Sequence, residues 1–217
     1  MKTRSKALLL TLCAVLLVTA SVLGTMAYLT SQDTVTNTFT VGSVAIKLDE
    51  AKANTDGSLV EGEGAARVKA NSYKLLPGHT YNKDPMVTVL NGSEASYIKM
   101  TVTFSKASAL DAIFAPTGAD LTSIFNGYDS TNWIYKDNTK DATADTRTYE
   151  FWYKETVAAP TADVALDALF DSITVPGFIT NAQLATIEGM TITVNAYAIQ
   201  ADGFANAEAA WAAFDAK

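Results

Sequence analysis

Few side chains in this sequence could carry out chemistry, and the single histidine, His79, is the first to consider. It follows Pro77-Gly78, a pair typical of a turn, and no His-Glu-x-x-His zinc motif can be written in the chain. Zinc sites made from one histidine and carboxylates alone are unusual. We therefore expect His79 to be an exposed turn residue, and we expect no metal site and no cofactor.

Catalytic nucleophiles and acid pairs have equally little support. The only cysteine is Cys13, and the sequence contains neither a Gly-x-Ser-x-Gly elbow nor a phosphate-binding loop. A glycosidase needs only two carboxylates, held at a defined separation, so acidic residues must be considered. We expect the available ones to be solubilising surface charges: Glu150, Glu155, Asp163 and Asp167. The sequence thus predicts no catalytic residues and a protein that is not an enzyme.

Two binding functions remain possible on residue types alone. The polar run 137–145 loosely resembles a calcium loop, but it lacks the central glycine and the terminal glutamate, and Lys140 adds a positive charge. We expect a solvated loop there. Trp133, Trp152 and neighbouring tyrosines could stack on sugar rings, as in a monomeric carbohydrate-binding adhesin, although aromatic residues in strands more often pack in a core.

The first 27 residues have the order of a secretory signal peptide. Basic residues come first, an apolar run follows from 7 to 23, and small residues at Thr25 and Ala27 end the segment. This order predicts cleavage between Ala27 and Tyr28. The alternative is a retained membrane anchor, for which a run of this length is at the short limit.

Cleavage would leave residues 28–217, enough for a single domain with its own core and without any cysteine. The segment removed carries three basic and no acidic residues, so the formal net charge would change from -7 to -10. Such a charge disfavours contact with nucleic acid or with anionic lipid. We therefore expect a secreted protein, in the matrix or at the cell surface, with no nucleic-acid partner and no membrane association after cleavage.

Alternation of polar and apolar residues predicts that strands dominate this domain. Predicted strands cover 38–48, 85–90, 97–104, 133–136, 148–155 and 190–200, and Asn91-Gly92 between two of them predicts a tight hairpin. Polar loops are expected at 51–71 and 137–147. Cap residues followed by helical spacing predict short helices from Ser108, Thr161 and Asn181, and a final helix capped by Asn206. Together these elements predict a mainly β fold, a jelly-roll-like antiparallel β-sandwich with short inserted helices and a C-terminal helix.

Three blocks of sequence resemble the TasA/camelysin family of exported Gram-positive proteins. The first is the junction Gly24-Thr25-Met26-Ala27-Tyr28-Leu29-Thr30 followed by Asn37-Thr38-Phe39-Thr40-Val41-Gly42. The second runs from Leu76-Pro77-Gly78-His79-Thr80 to Tyr97-Ile98-Lys99-Met100. The third is Ala196-Tyr197-Ala198-Ile199-Gln200-Ala201-Asp202-Gly203-Phe204 with Ala209-Ala210-Trp211.

The resemblance implies a signal peptide cut by a SipW-type signal peptidase and a jelly-roll protein that assembles into a homopolymer, the fibre of a biofilm matrix. It also implies donor-strand complementation, in which residues 28–41 of one copy pair with the next, with Val35, Phe39 and Val41 on one face. An accessory matrix protein is a possible further partner. Pairing of the same strand within its own domain is the alternative, because either arrangement satisfies the same sheet edge. Camelysin-like members carry the name of secreted metallopeptidases, but one histidine and no zinc motif speak against that activity here.

Overall fold

The computed structural model describes residues 6, 8–18, 42–114 and 125–216 of the 217-residue chain. Residues 8–18 form a helix, α1, whose leucine and valine side chains are exposed. No helix within these described ranges is long and apolar enough to cross a membrane. Met1–Val41 and Gly42–Lys217 are two separate compact units, and the sheets belong to the second.

One four-stranded antiparallel sheet, sheet I, has the strand order β2-β1-β4-β9. With strands numbered along the chain, these are β1 (Ile46–Ala51), β2 (Arg67–Val68), β4 (Met86–Val89) and β9 (Val164–Ala165). Strand β4 pairs with the first four residues of β1, whereas β2 pairs only with its last two. The first part of β1 therefore has a strand on one side only, among the residues described.

A second four-stranded antiparallel sheet, sheet II, has the order β11-β5-β8-β7. Its strands are β5 (Ser96–Ser105), β7 (Trp133–Asp141), β8 (Thr146–Tyr153) and β11 (Ile192–Gln200). Alternate residues of β5 are buried, because successive side chains of a strand point to opposite faces. Strand β11 lies at the edge and pairs along all nine of its residues with β5.

The remaining elements are short. Strands β3 (Thr80–Asn82), β6 (Phe125–Asn126) and β10 (Ser172–Thr174) form a small third sheet in the order β3-β10-β6. The helices are α2 (Ala107–Phe114), α3 (Asn181–Thr186) and α4 (Ala207–Asp215), with a 3-10 turn at Gly62–Gly64. Helix α4 begins as the sequence predicts, because the Asn206 side chain accepts a hydrogen bond from the Ala209 N–H.

Sheets I and II bury their facing sides in one apolar core. Sheet I contributes Val87 and Val89, and sheet II contributes a larger set that includes Met100 and Phe151, all of them fully buried. The Phe125 and Phe170 rings, 4.6 Å apart, fill the same core from outside the two large sheets. The prediction of a mainly β antiparallel sandwich with short helices and a C-terminal helix is thus confirmed.

The outer face of sheet II is covered by α4 around a buried lysine. Lys99 is 3% exposed, and its ammonium lies 4.8 Å from the Trp211 ring centre and 5.3 Å from that of Phe214. The Asp215 carboxylate at the end of α4 accepts a hydrogen bond from it at 2.9 Å. Cation–π contacts and the ion pair together satisfy a charge that would otherwise be costly to bury, and they fix α4 to the sheet.

The predicted hairpin at Asn91-Gly92 is wrong. The two residues do form a turn, with Gly92 at φ +81°, but β4 before it belongs to sheet I and β5 after it belongs to sheet II. Strand β4 takes β1 and β9 as neighbours, and β5 takes β8 and β11. The turn therefore connects the two layers of the sandwich instead of joining two paired strands.

Two further predictions differ from the structure. The polar loop expected at 137–147 shortens to residues 142–145, because β7 and β8 continue their ladder to the pair Asp141–Thr146. The helix expected from Thr161 does not form. Val164 and Ala165 instead pair with the edge of β4, and Leu169 and Phe170 are buried in the core. Tertiary pairing outweighs the local helical spacing in the second case, and it extends the ladder into the polar run in the first.

A pair of glycine substitutions tests the packing of a turn against β3. Gly57 has φ +92°, and a Cβ there would lie 2.6 Å from the Thr80 carbonyl oxygen; Gly92 has φ +81° but open space around it. In both variants, alanine in the left-handed region lowers the free energy of unfolding by roughly 1–2 kcal/mol. We expect Gly57→Ala to cost about 3 kcal/mol or more in urea unfolding, because the backbone must also move. Equal losses for the two variants would contradict this packing.

Candidate functional site

A groove of about 1220 Å³ between β1 and β11 could receive a partner, and we call it the β1–β11 groove. Residues 48–50 of β1 and 68–75 form one wall, and residues of α3 together with 188–194 form the other. Small-molecule sites usually enclose about 300–1,000 Å³. The larger and open form of this groove suits an extended polypeptide better than a small ligand.

The edge of β11 that faces away from β5 is an unpaired strand edge in the described part of the chain. In an antiparallel pair, residues that exchange backbone hydrogen bonds alternate with residues that do not. The Ser105 N–H donates to the Thr191 carbonyl, and the unbroken register then places odd-numbered residues in the bonded positions. The N–H and C=O groups directed to the free edge are those of Ile192, Val194, Ala196 and Ala198.

Strand β1 presents a second, shorter free edge. The Leu90 N–H donates to the Ala45 carbonyl, so the register with β4 directs the N–H and C=O groups of Ile46 and Leu48 to the other side. Strand β2 pairs with Glu50 and ends at Val68, before it reaches them. In the residues the structure covers, no strand pairs with Ile46 or Leu48 on this side of β1.

Core side chains beside the groove are incompletely buried. Ile46 and Leu48 of β1, and Ile192 and Val194 of β11, pack against the main core but keep intermediate exposure. Their counterparts in the middle of the sheets, such as Val87 and Met100, are fully buried. The sandwich therefore leaves part of its apolar surface exposed on this side, and a strand with alternating apolar residues would remove more of this surface from water.

The polar residues in and beside the groove already neutralise one another. Lys83 Nζ lies 2.5 Å from Glu50 Oε2, with both side chains less than one-tenth exposed, and the Asn71 amide donates to the other Glu50 oxygen. Arg67 bridges the carboxylates of Asp49 and Asp84. The buried Lys83–Glu50 pair adds little net stability, because removing two charges from water offsets much of their attraction.

Asp49 shows the effect of this pairing on a carboxyl group. Burial by itself raises its pKa, but hydrogen bonds from Lys47 and Arg67 and their charges outweigh burial, so the pKa is lowered from its ordinary value. The group is ionised near neutral pH, with basic partners on both sides. It is a structural anion in this wall, and it lacks the raised pKa expected of a general acid.

The sequence-predicted cleavage site and donor strand lie outside the described residues. This applies to Ala27 and Tyr28, and to the apolar set Val35, Phe39 and Val41. The described residues resume at Gly42, shortly before β1, which forms one side of the groove. The partner surface for such a strand was not predicted from sequence, because the alternation of β11 indicates a buried face but not a missing neighbour.

The residues considered for catalysis do not form a site. His79 is exposed, and no group of three or more potential metal ligands occurs within the described ranges. None of the four carboxylates considered for glycosidase chemistry lines the groove. Glu150 lies 3.5 Å from the Lys99 ammonium, Asp163 accepts from the Asn91 N–H, Asp167 accepts from the Asn132 amide, and Glu155 is exposed.

The aromatic residues considered for sugar binding are engaged in packing. Trp133 is 1% exposed, and its indole N–H donates to the Asp167 carbonyl. The Trp152 ring has the Lys136 ammonium 4.0 Å from its centre and the Trp211 ring 6.3 Å away. Trp133 therefore offers no open face on which a sugar would stack, and Trp152 is half-buried with a lysine over its ring.

Comparison of the chain with protein-family models, with curated proteins and with solved structures finds no match to any of them. The resemblance to the TasA/camelysin family therefore stays a prediction from the quoted residues. The β1–β11 groove, bordered by two strand edges that have no further neighbour among the described residues, is the candidate functional site on the geometry alone.

Proposed function

We propose that this chain is a secreted structural protein of the cell surface or biofilm matrix that assembles into fibres by donor-strand exchange. Residues 28–41 of one copy would fill the β1–β11 groove of the next. The observation that carries the proposal is the free edge of β11 beside half-buried core residues. A strand added there would pair exposed backbone groups and cover apolar side chains in one step.

The composition of the donor segment fits such a groove. Its residues 35, 37, 39 and 41 share one strand face and include Val35, Phe39 and Val41, while the opposite face is formed mostly of threonine. The apolar face would lie over Ile192 and Val194. Threonine, which has high β propensity, would face solvent without an aggregation-prone apolar surface.

Exchange between copies is favoured over self-pairing by the way the chain approaches β1. The Glu94 N–H donates to the Ser43 carbonyl, and the Ala45 N–H donates to the Ser93 hydroxyl. These bonds hold residues 43–45 beside the turn that follows β4. A segment returning to its own groove would have to reverse direction immediately before Ser43, whereas a strand from another copy has no such constraint.

Release of the segment would depend on export. In this proposal a SipW-type signal peptidase cuts between Ala27 and Tyr28, as the family resemblance implies, and the new chain end becomes the donor. An accessory matrix protein with a free groove or a free strand could start or anchor the fibre. Before cleavage, the apolar run would hold the segment at the membrane and prevent assembly.

Electron microscopy of purified chains of different length tests this proposal. The chain beginning at Tyr28 is expected to form filaments, whereas the chain beginning at Val44 is expected to remain monomeric in light scattering. Both keep every strand of the folded unit, and the shorter chain lacks only Gly42 and Ser43 of that unit in addition to the donor segment. A synthetic peptide of residues 28–43 should bind the shorter chain. Equal polymerisation of the two chains would show that the segment is not the connector.

A further inference from the structure

We propose that Lys69 is a removable cap on the free edge of β1, which an incoming strand displaces when it enters the groove. The inference rests on the proposed function and concerns the regulation of the same groove. It follows from one hydrogen bond and from the point at which β2 ends.

The register of β2 shows what is missing at this edge. Val68 lies opposite Glu50, so a β2 continued by two residues would place Ala70 opposite Leu48. Its N–H would then donate to the Leu48 carbonyl. The chain instead leaves the sheet after Val68, and Asn71 is bound to the other side of β1, where its amide donates to the Ala51 carbonyl and accepts from the Ala53 N–H.

The lysine side chain takes the place of the missing backbone donor. Lys69 Nζ donates a hydrogen bond to the Leu48 carbonyl oxygen, the group that the free edge offers to a new strand. Lys69 itself is exposed and lies in the wall of the groove. A lysine at a strand edge is a known way of preventing unwanted pairing between sheets, because its charge must be moved before a neighbour can approach.

Such a cap can also leave easily. An exposed ammonium exchanges its carbonyl partner for water at little cost, since the net value of a solvent-accessible hydrogen bond is small. An incoming backbone N–H, held by further bonds along the strand, can therefore replace it. The apparent affinity of the groove equals its intrinsic affinity multiplied by the fraction of time for which the edge is uncapped.

Filament growth of the Lys69→Ala variant tests the inference. In the chain beginning at Tyr28, elongation measured by light scattering from seeded filaments is expected to be about two- to five-fold faster than in the unmodified chain. The peptide of residues 28–43 should bind the Val44 chain carrying Lys69→Ala more tightly by a similar factor. Lys69→Arg, which can still cap the carbonyl, should behave like the unmodified protein.

Lys52→Ala is the matched control for charge. Lys52 is exposed and directly follows β1 but does not line the groove, so the variant removes the same charge from the same region without removing the cap. We expect its elongation rate to remain near that of the unmodified chain. A rate increase shared by both variants would assign the effect to charge and overturn the role of Lys69.

The outcomes separate the inference from the function on which it rests. Filaments that grow at the same rate, or more slowly, with Lys69→Ala would overturn the cap and leave strand exchange intact. If none of these proteins forms filaments and none binds the peptide, strand exchange is overturned, and the cap is overturned with it.

Discussion

Replacement of Val194 by proline is expected to abolish filament growth while the domain stays folded. The Val194 N–H is directed to the free edge of β11, so proline removes a donor that the incoming strand needs and none that β5 uses. Proline is tolerated at strand edges when the missing N–H faces away from the ladder. Electron microscopy of the chain beginning at Tyr28 should show no filaments, and circular dichroism should show an unchanged sheet.

The neighbouring residue supplies the matched control. Thr193 also lines the groove, but its N–H lies in a bonded position opposite Thr103. Thr193→Pro should therefore break the ladder to β5 and destabilise the domain, where Val194→Pro does not. The contrast between two adjacent proline substitutions tests the direction of the backbone groups rather than the presence of proline in the strand.

A mixing experiment tests the role of the groove as acceptor. A Val194→Pro subunit keeps its donor segment, so it can still enter the groove of an unmodified subunit but cannot accept the next one. Small amounts added to the unmodified chain should shorten its filaments. Filaments of normal length and number from Val194→Pro alone would exclude β11 as the pairing edge.

The largest loss of stability is expected for Trp211→Ala. Trp211 is 1% exposed and lies between the Lys99 ammonium and the rings of Trp152 and Phe214. Removal of a buried tryptophan typically costs about 3–5 kcal/mol, because apolar contact is lost and a cavity remains. Here Lys99 would also lose one of the rings that compensate its burial.

Thermal unfolding of the Val44 chain measures this loss without interference from assembly. For a domain of this size, we expect the midpoint to fall by roughly 6–20 °C. Phe178→Ala is the control, since Phe178 is 69% exposed and should change the unfolding free energy by no more than about 0.5 kcal/mol. A loss below about 1 kcal/mol for Trp211→Ala would show that α4 is not part of the cooperative fold.

Strands with strong alternation were predictable from the sequence, and so was the last helix. The spacing of Ile98, Met100, Val102 and Phe104 predicts the buried face of β5, and Asn206 predicts the start of α4. Both signals are local: a strand repeats every two residues, and a cap satisfies the first turn of its own helix. The structure confirms each of them.

Pairing between distant strands was not predictable in the same way. Asn91-Gly92 has the composition of a hairpin turn, yet the choice between a hairpin and a crossing to the other layer depends on β1 and β11, far away in sequence. Val164 and Leu169 have helical spacing, but they lie in an extended segment. Val164 pairs with β4, and Leu169 is buried in the core. A local pattern does not contain these competing partners.

The candidate site was missed for a related reason. The sequence indicated a donor segment at 28–41, but an acceptor is defined by a neighbour that a strand lacks. Only the register shows that β2 ends opposite Glu50 and that β11 has β5 on one side. The side chain of Lys69 on the Leu48 carbonyl could not be inferred from an isolated lysine in a polar run.

The hydrogen bonds at Ser43 and Ala45 have a mechanical consequence for a fibre built in the proposed way. Tension along such a fibre would reach each subunit at Gly42 and pull β1 lengthwise past β4. The four residue pairs of that ladder, from Ile46–Val89 to Asp49–Met86, would then be loaded together in shear instead of opening one after another. A subunit attached in this geometry resists stretching with its whole first strand, even though it has no covalent link to its neighbour.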